Sequence, residues 1–104
     1  MKRTHKCNQI NRDLIGQEIS VSGWIHRRRD HGGVIFFDIR DEDGLVQVVY
    51  NPDSEETFAL AENCRNEYVV FSKGLVRERP DGTMNPNLAT GEVEIVASHL
   101  DILN

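Results

Sequence analysis

Apolar and polar residues alternate through three consecutive stretches of this chain, and a period of two is the mark of half-buried strands. The first sets Ile19, Val21, Gly23 and Ile25 against Ser20, Ser22, Trp24 and His26. The second, about residues 34–41, sets Ile35, Phe37 and Ile39 against Phe36, Asp38 and Arg40. The third, residues 45–50, carries Gln47 between Val46 and Val48. Gly32-Gly33 accepts positive φ and suits a tight hairpin between the first two strands, and Asp43-Gly44 signals a second hairpin. Then the period changes. Asn51-Pro52-Asp53 stops the sheet, Asp53 is placed to cap a helix, and Glu56 three residues on completes a capping box. Phe58, Ala61 and Cys64 mark one face of a helix of about ten residues. Residues 68–79 read as a long fourth strand with Gly74 at a bulge or bend. Residues 80–91 form a loop rich in Pro, Gly, Asn and Thr. Residues 92–103 make a fifth strand, with Val93, Ile95 and Ala97 on one face and Glu92, Glu94 and Val96 on the other. The start, residues 1–11, is polar around an isolated Ile10 and reads as an irregular or short helical lead-in, with residues 1–15 preceding the sheet.

Three meandering strands, a helix and two further strands is the order of the OB-fold, an all-β, five-stranded Greek-key barrel with one helix between strands three and four. Its usual binding surface is the strand two–three face with the loops joining strands one and two and strands four and five. Here those loops are the arginine-rich Gly-Gly turn and residues 80–91.

At 104 residues the chain is expected to be a single small domain over 1–104, with no room for a separate catalytic unit. No apolar run approaches the roughly 20 residues that span a bilayer. The basic start, Lys2 to Lys6, is not followed by the apolar stretch of a secretory signal. Cys7 and Cys64 match no metal or redox spacing, so two buried or free thiols in a reducing cytoplasm are expected rather than a disulfide. The net charge of −5 repels phosphate at long range. Its distribution says more: residues 1–41 carry eight Lys/Arg against five Asp/Glu, and residues 42–104 carry four against twelve. A polarised map fits selective docking on a folded RNA better than indiscriminate coating of a backbone. His5, His26, His31 and His99 show no ligand spacing, and no Ser/His/Asp, paired-carboxylate or phosphate-loop motif is present. Catalysis within the chain is not expected.

Phe36 is the odd member of its strand, a large aromatic sharing the polar face beside Arg27, Arg28 and Arg29. Bases stack on such a ring while phosphates meet the cations. The bland reading is an aromatic covered by a helix or a neighbouring domain. The three arginines alternate in direction, so at most two face the same way, and one or two have ion pairs with Asp30, Asp38 or Asp41 as the plain alternative. Gln47 points with Phe36 and its amide can read a base edge; a solvated glutamine is the equal alternative. Glu94 makes sense on an RNA face only as an acceptor for base donors such as guanine N1–H and N2–H, and otherwise reads as a solvated charge. Trp24 reads as core or rim packing.

These residues, with RTHKCNQI near the start, GWIHRRRDHGGVIFFDIRDEDGLVQVV, CRNEYVV, GLVRERPDGT and NPNLATGEVEI, resemble the N-terminal anticodon-binding domain of bacterial-type aspartyl-tRNA synthetases, a class II family. The resemblance covers essentially the whole chain. It implies that Phe36 stacks on the middle anticodon base, a uracil, which Gln47 reads. It implies that Glu94 accepts from the first-position guanine and Arg29 contacts the third base, while Arg27 lies in the same cationic set. The loop around Arg79 and Asn85 closes on the anticodon loop. The partner so implied is tRNA-Asp with anticodon GUC, within a homodimeric cytoplasmic aspartate–tRNA ligase and without membrane or DNA. ATP and Mg²⁺ belong to a catalytic domain lying beyond Leu103-Asn104, so this domain holds no cofactor and no catalytic residue. Members that also charge tRNA-Asn resemble the chain in His31 and in a segment near Gly82, which extends the expectation to that tRNA. The rival expectations are a general single-stranded nucleic-acid module, the anticodon domain of an asparaginyl- or lysyl-tRNA synthetase, and a module docking other protein domains through the same face.

Overall fold

The chain folds into five strands, one α-helix and two 3-10 turns in a computed structural model that describes residues 2–104. Met1, the first residue of the expected lead-in, lies outside the described residues. The strands are β1 Glu18–His31, β2 Val34–Arg40, β3 Leu45–Tyr50, β4 Val69–Glu78 and β5 Val93–Ile102, and the helix α1 is Glu55–Glu62. They close into a barrel in the order β1-β2-β3-β5-β4, antiparallel except for the β3–β5 pairing. This is the OB-fold expected from the pattern. Ile19, Val21, Ile25, Ile35, Phe37, Ile39, Val46 and Val48 fill the interior as the alternation requires. The ring of Phe37 packs 4.5 Å from that of Tyr50.

Gly32 and Gly33 both adopt positive φ (60° and 80°), the paired left-handed geometry of a two-residue hairpin turn. The first strand runs on through the arginines to this turn. Gly74 sits at a register shift on β4, and an added Cβ there would lie 2.2 Å from the Val96 carbonyl oxygen, so the close approach of β5 demands glycine.

The expected capping box does not form. Ser54, not Asp53, occupies the N-cap, and no side chain caps the first turn. Asn51-Pro52-Asp53 is spent on the turn that lets Ser54 N–H reach the Asn51 carbonyl (3.1 Å), which delays the helix. The helix is eight residues long, and its buried positions are Thr57 and Ala61, with Phe58 half-buried and Cys64 buried just beyond the end. None of its length is enough, or apolar enough, to cross a membrane.

The lead-in forms the 3-10 turns Cys7–Gln9 and Arg12–Leu14 and buries Cys7 and Ile10 against the barrel end. Both cysteines are free, and burial pushes both thiols up. Asp41 fastens this segment to the sheet. One carboxylate oxygen accepts from the Cys7 N–H (2.8 Å), and the other accepts from the Asp43 and Gly44 N–H groups (2.9 and 3.0 Å). Burial works against the charge of Asp41, but donation from the Cys7, Asp43 and Gly44 amides outweighs it and holds the carboxyl below its usual value. A lowered carboxyl contributes its stability above the unfolded value of about 3.9 and loses it as pH falls through the folded value. Asp41→Ala is expected to cost about 1–2 kcal/mol near neutral pH, where several hydrogen bonds to a charged group are lost. The deficit should shrink towards zero in urea unfolding repeated at falling pH; a deficit independent of pH would contradict the assignment.

Candidate nucleic-acid interface

A β-bulge decides which arginines face outward. Ile25 pairs with Ile39 on β2, and Arg27 already pairs with Asp38, so His26 is an extra residue in β1. Uninterrupted alternation from the buried Ile25 would send Arg27 and Arg29 inward. The bulge reverses the phase, and Arg27 and Arg29 join the outer face. Two rows result across β1, β2 and β3. One is Arg27–Asp38–Gln47 and the other is Arg29–Phe36–Val49.

Arg28 goes the other way, to the end of α1. Its Nη1 donates to the carbonyls of Ala61, Glu62 and Cys64 (3.3, 2.8 and 2.8 Å), and its Nε and Nη2 donate to the Asp30 carboxylate, both at 2.9 Å. The carbonyls left unpaired at a helix C-terminus attract such a cation. Arg28 thus braces the β1–β2 hairpin from behind.

On the outer face the polar side chains form one chain of hydrogen bonds. The Arg29 guanidinium lies 5.4 Å from the centre of the Phe36 ring. Its Nη2 donates to Asp38 (3.3 Å) and to Gln47 Oε1 (2.7 Å). Gln47 Nε2 donates to Glu94 Oε1 (2.7 Å), and Arg77 Nε donates to Glu94 Oε2 (2.7 Å). The orientation of the Gln47 amide follows from its neighbours: a guanidinium offers only donors and a carboxylate accepts.

Gln47 and Glu94 are 4% and 1% exposed, which overturns the reading of either as a solvated group on an open face. The long β4–β5 loop, residues 80–91, which could not be positioned from local sequence, lies against this part of the sheet, with Pro80 and Thr83 beside both groups. Two adjoining hollows lie between loop and sheet. The smaller, about 130 Å³, is lined by residues including Phe36, Gln47, Arg77, Thr83 and Glu94. The larger, about 310 Å³, is lined by residues including Arg27, Arg29, Gln47, Arg79, Thr83 and Asn85. All seven residues singled out in the sequence thus line one hollow or the other.

The loop is pinned at its base. Asn85 N–H donates to the Gly91 carbonyl (3.0 Å), its Oδ1 accepts from Asn87 N–H (3.0 Å), and Thr90 Oγ1 donates to the Leu45 carbonyl (2.6 Å). Arg79, 5% exposed, donates through Nε to the Val93 carbonyl (3.0 Å), while its Nη2 has no partner among the described residues. Burial lowers its affinity for the proton, with Glu94 and Asp38 nearby opposing the change. The Nε of Arg29 is likewise without a partner among them. Buried donors of this kind need an acceptor to avoid a desolvation penalty. Arg27, Arg29, Arg77 and Arg79 oppose only Asp38 and Glu94, so the face is locally cationic on a chain of net charge −5.

Arg77, which local sequence does not single out, also lines the smaller hollow. Its signal was an opposite-charge pair, because Arg77 and Glu94 are direct cross-strand partners. Finding that pair required the β4–β5 register, which the bulge beside Gly74 shifts.

A closed five-stranded barrel whose β2–β3 face carries an aromatic, a hydrogen-bonded amide–carboxylate pair and excess guanidinium is a nucleic-acid-binding domain of the OB type. Residues 19–103 match the tRNA anti-codon family, described as an OB-fold nucleic acid binding domain, and the chain belongs to that family. Among solved structures it is similar to asparaginyl-tRNA synthetase from Pyrococcus horikoshii complexed with asparaginyl-adenylate, at 26% identity and a TM-score of 0.83, over 100% of this chain and 23% of that one. An OBody bound to hen egg-white lysozyme is 30% identical with a TM-score of 0.85, over 100% of this chain and 95% of that one. Aspartyl tRNA synthetase from Entamoeba histolytica shares the fold at 14% identity and a TM-score of 0.84, over 100% of this chain and 21% of that one. The chain spans less than a quarter of the length of either synthetase.

Proposed function

We propose that this domain reads the anticodon GUC of tRNA-Asp as the tRNA-binding module of a longer aspartate–tRNA ligase. The observation that carries the reading is the outer-face chain Arg29–Gln47–Glu94, set beside Phe36 and flanked by the β4–β5 loop. The middle uracil stacks on Phe36 and meets Gln47. The first-position guanine offers its N1–H and N2–H to Glu94, whose two oxygens retain acceptor capacity beyond the bonds from Gln47 and Arg77. The third base enters the larger hollow, where Arg29, Arg79 and Asn85 supply donors to its acceptor edge, and Arg27 at the rim meets the backbone. Aspartate activation, with its ATP and Mg²⁺, belongs to another domain of the cytoplasmic, homodimeric enzyme. Among the described residues no group of three or more His, Cys, Asp or Glu is placed to hold a metal ion.

Likeness to an asparaginyl-tRNA synthetase favours a second reading, in which tRNA-Asn is also or instead the partner. Its anticodon shares the first two bases, so only the third-base hollow separates the two. Titration of stem-loops bearing GUC, GUU and an unrelated anticodon tests both. Tight binding of GUC alone supports the aspartate reading, equal binding of GUC and GUU supports dual recognition, and equal binding of all three sinks both.

Glu94→Ala is expected to lower the preference for guanine at the first position by about tenfold, roughly 1.4 kcal/mol, with a smaller loss of total affinity. A uniform loss across first-base variants would contradict the assignment.

A further inference from the structure

Arg77 belongs to the reading face without having been assigned anything to read. It is the cross-strand partner of Glu94, its Nε lies 2.7 Å from Glu94 Oε2, and its side chain is 45% exposed while that of Glu94 is 2% exposed. Among the described residues it is the one cation in salt-bridge contact with that buried carboxylate. Resting on the anticodon reading, we infer that Arg77 is a positioning residue for first-base selection: it aims the Glu94 carboxylate and offsets its charge, and makes no phosphate contact of its own.

Three features carry this. A carboxylate turns broadly about its terminal torsion unless something holds it. Here both oxygens are held, Oε1 by Gln47 and Oε2 by Arg77, and Gln47 is itself held by Arg29. Glu94 therefore meets an incoming base in a fixed plane, which two adjacent N–H donors of guanine can match and the edge of adenine cannot. Next, an unneutralised carboxylate on a face that binds polyanionic RNA would repel its ligand, and the paired guanidinium removes that cost. Lastly, Arg77 lines the smaller hollow together with Glu94 and Phe36, so its cation is committed where a base and not the backbone enters.

The test uses this chain with stem-loops carrying GUC and AUC, titrated by fluorescence anisotropy at several salt concentrations. Arg77→Ala should reduce the guanine-over-adenine preference by about tenfold, within what one base contact discriminates. Binding of the AUC loop should weaken by less than that of the GUC loop, because it loses only the offset of the Glu94 charge. Arg77→Lys, which retains a cation beside Glu94, should keep most of the preference. Uniform weakening of both loops, with the slope reduced by about one, would identify Arg77 as a phosphate contact and overturn the inference. So would an unchanged preference in Arg77→Ala. If that variant fails to fold, Arg77→Gln keeps the length and a donor without the charge, and carries the same expectations. Should the unsubstituted chain itself show no preference between GUC, AUC and an unrelated loop, the anticodon reading falls and this inference falls with it. A preference that survives Arg77→Ala overturns the inference alone.

Discussion

Phe36→Ala is expected to weaken binding of a GUC stem-loop by about 1–3 kcal/mol, roughly five- to 150-fold in Kd, while leaving the unfolding transition in place. The ring stands on the outer face, half-buried, with the Arg29 guanidinium near it and Val49 opposite it on β3. Its removal opens the smaller hollow and takes away the apolar platform, but Phe36 is not part of the interior cluster that fills the barrel. Calorimetric titration paired with urea unfolding checks both halves of the expectation. An affinity unchanged by the substitution would remove the stacking role.

Its neighbour should behave in the opposite way. Phe37→Ala is expected to cost about 3–5 kcal/mol of folding free energy, the usual range for deleting a buried aromatic. Phe37 is fully buried, and its ring packs on Tyr50, whose hydroxyl donates to Ser72 Oγ (2.9 Å) across the barrel. The void would loosen both the ring pair and that buried hydrogen bond. Small domains are stable by only about 5–15 kcal/mol, so the variant should unfold at a much lower urea midpoint. A loss below about 1 kcal/mol in the same assay would mean the interior collapses around the gap. The two substitutions are one position apart, and their contrast is a direct reading of strand alternation.

That alternation is also why much of the fold was legible. β2 and β3 alternate without interruption, the Gly32-Gly33 and Asp43-Gly44 turns fix their ends, and the element order then gives the barrel. Local sequence failed where a tertiary partner decided the outcome. Ser54 rather than Asp53 begins the helix because residues 51–54 close their own turn first. Gln47 and Glu94 read as open-face groups because the β4–β5 loop beside them is distant in sequence and irregular in form. Arg77 was invisible without the register that a bulge shifts. The position of Arg28 was likewise hidden, since its partners are the carbonyls at the end of α1.

The extra residue at His26 bears on how relatives of this chain should be compared. Three identical letters in a row, Arg27-Arg28-Arg29, align with themselves at any offset of one and give no sign of error. Yet only the middle one is turned towards the helix. A homologue with the same number of residues but no bulge after the position of Ile25 would present the opposite member of the triplet to RNA, whereas one lacking the residue at His26 would present the same members. Alignments through this segment are therefore best anchored on Ile25 and Gly32, and the spacing counted between them. Where the spacing is kept but the bulge is not, shared arginines do not imply shared contacts.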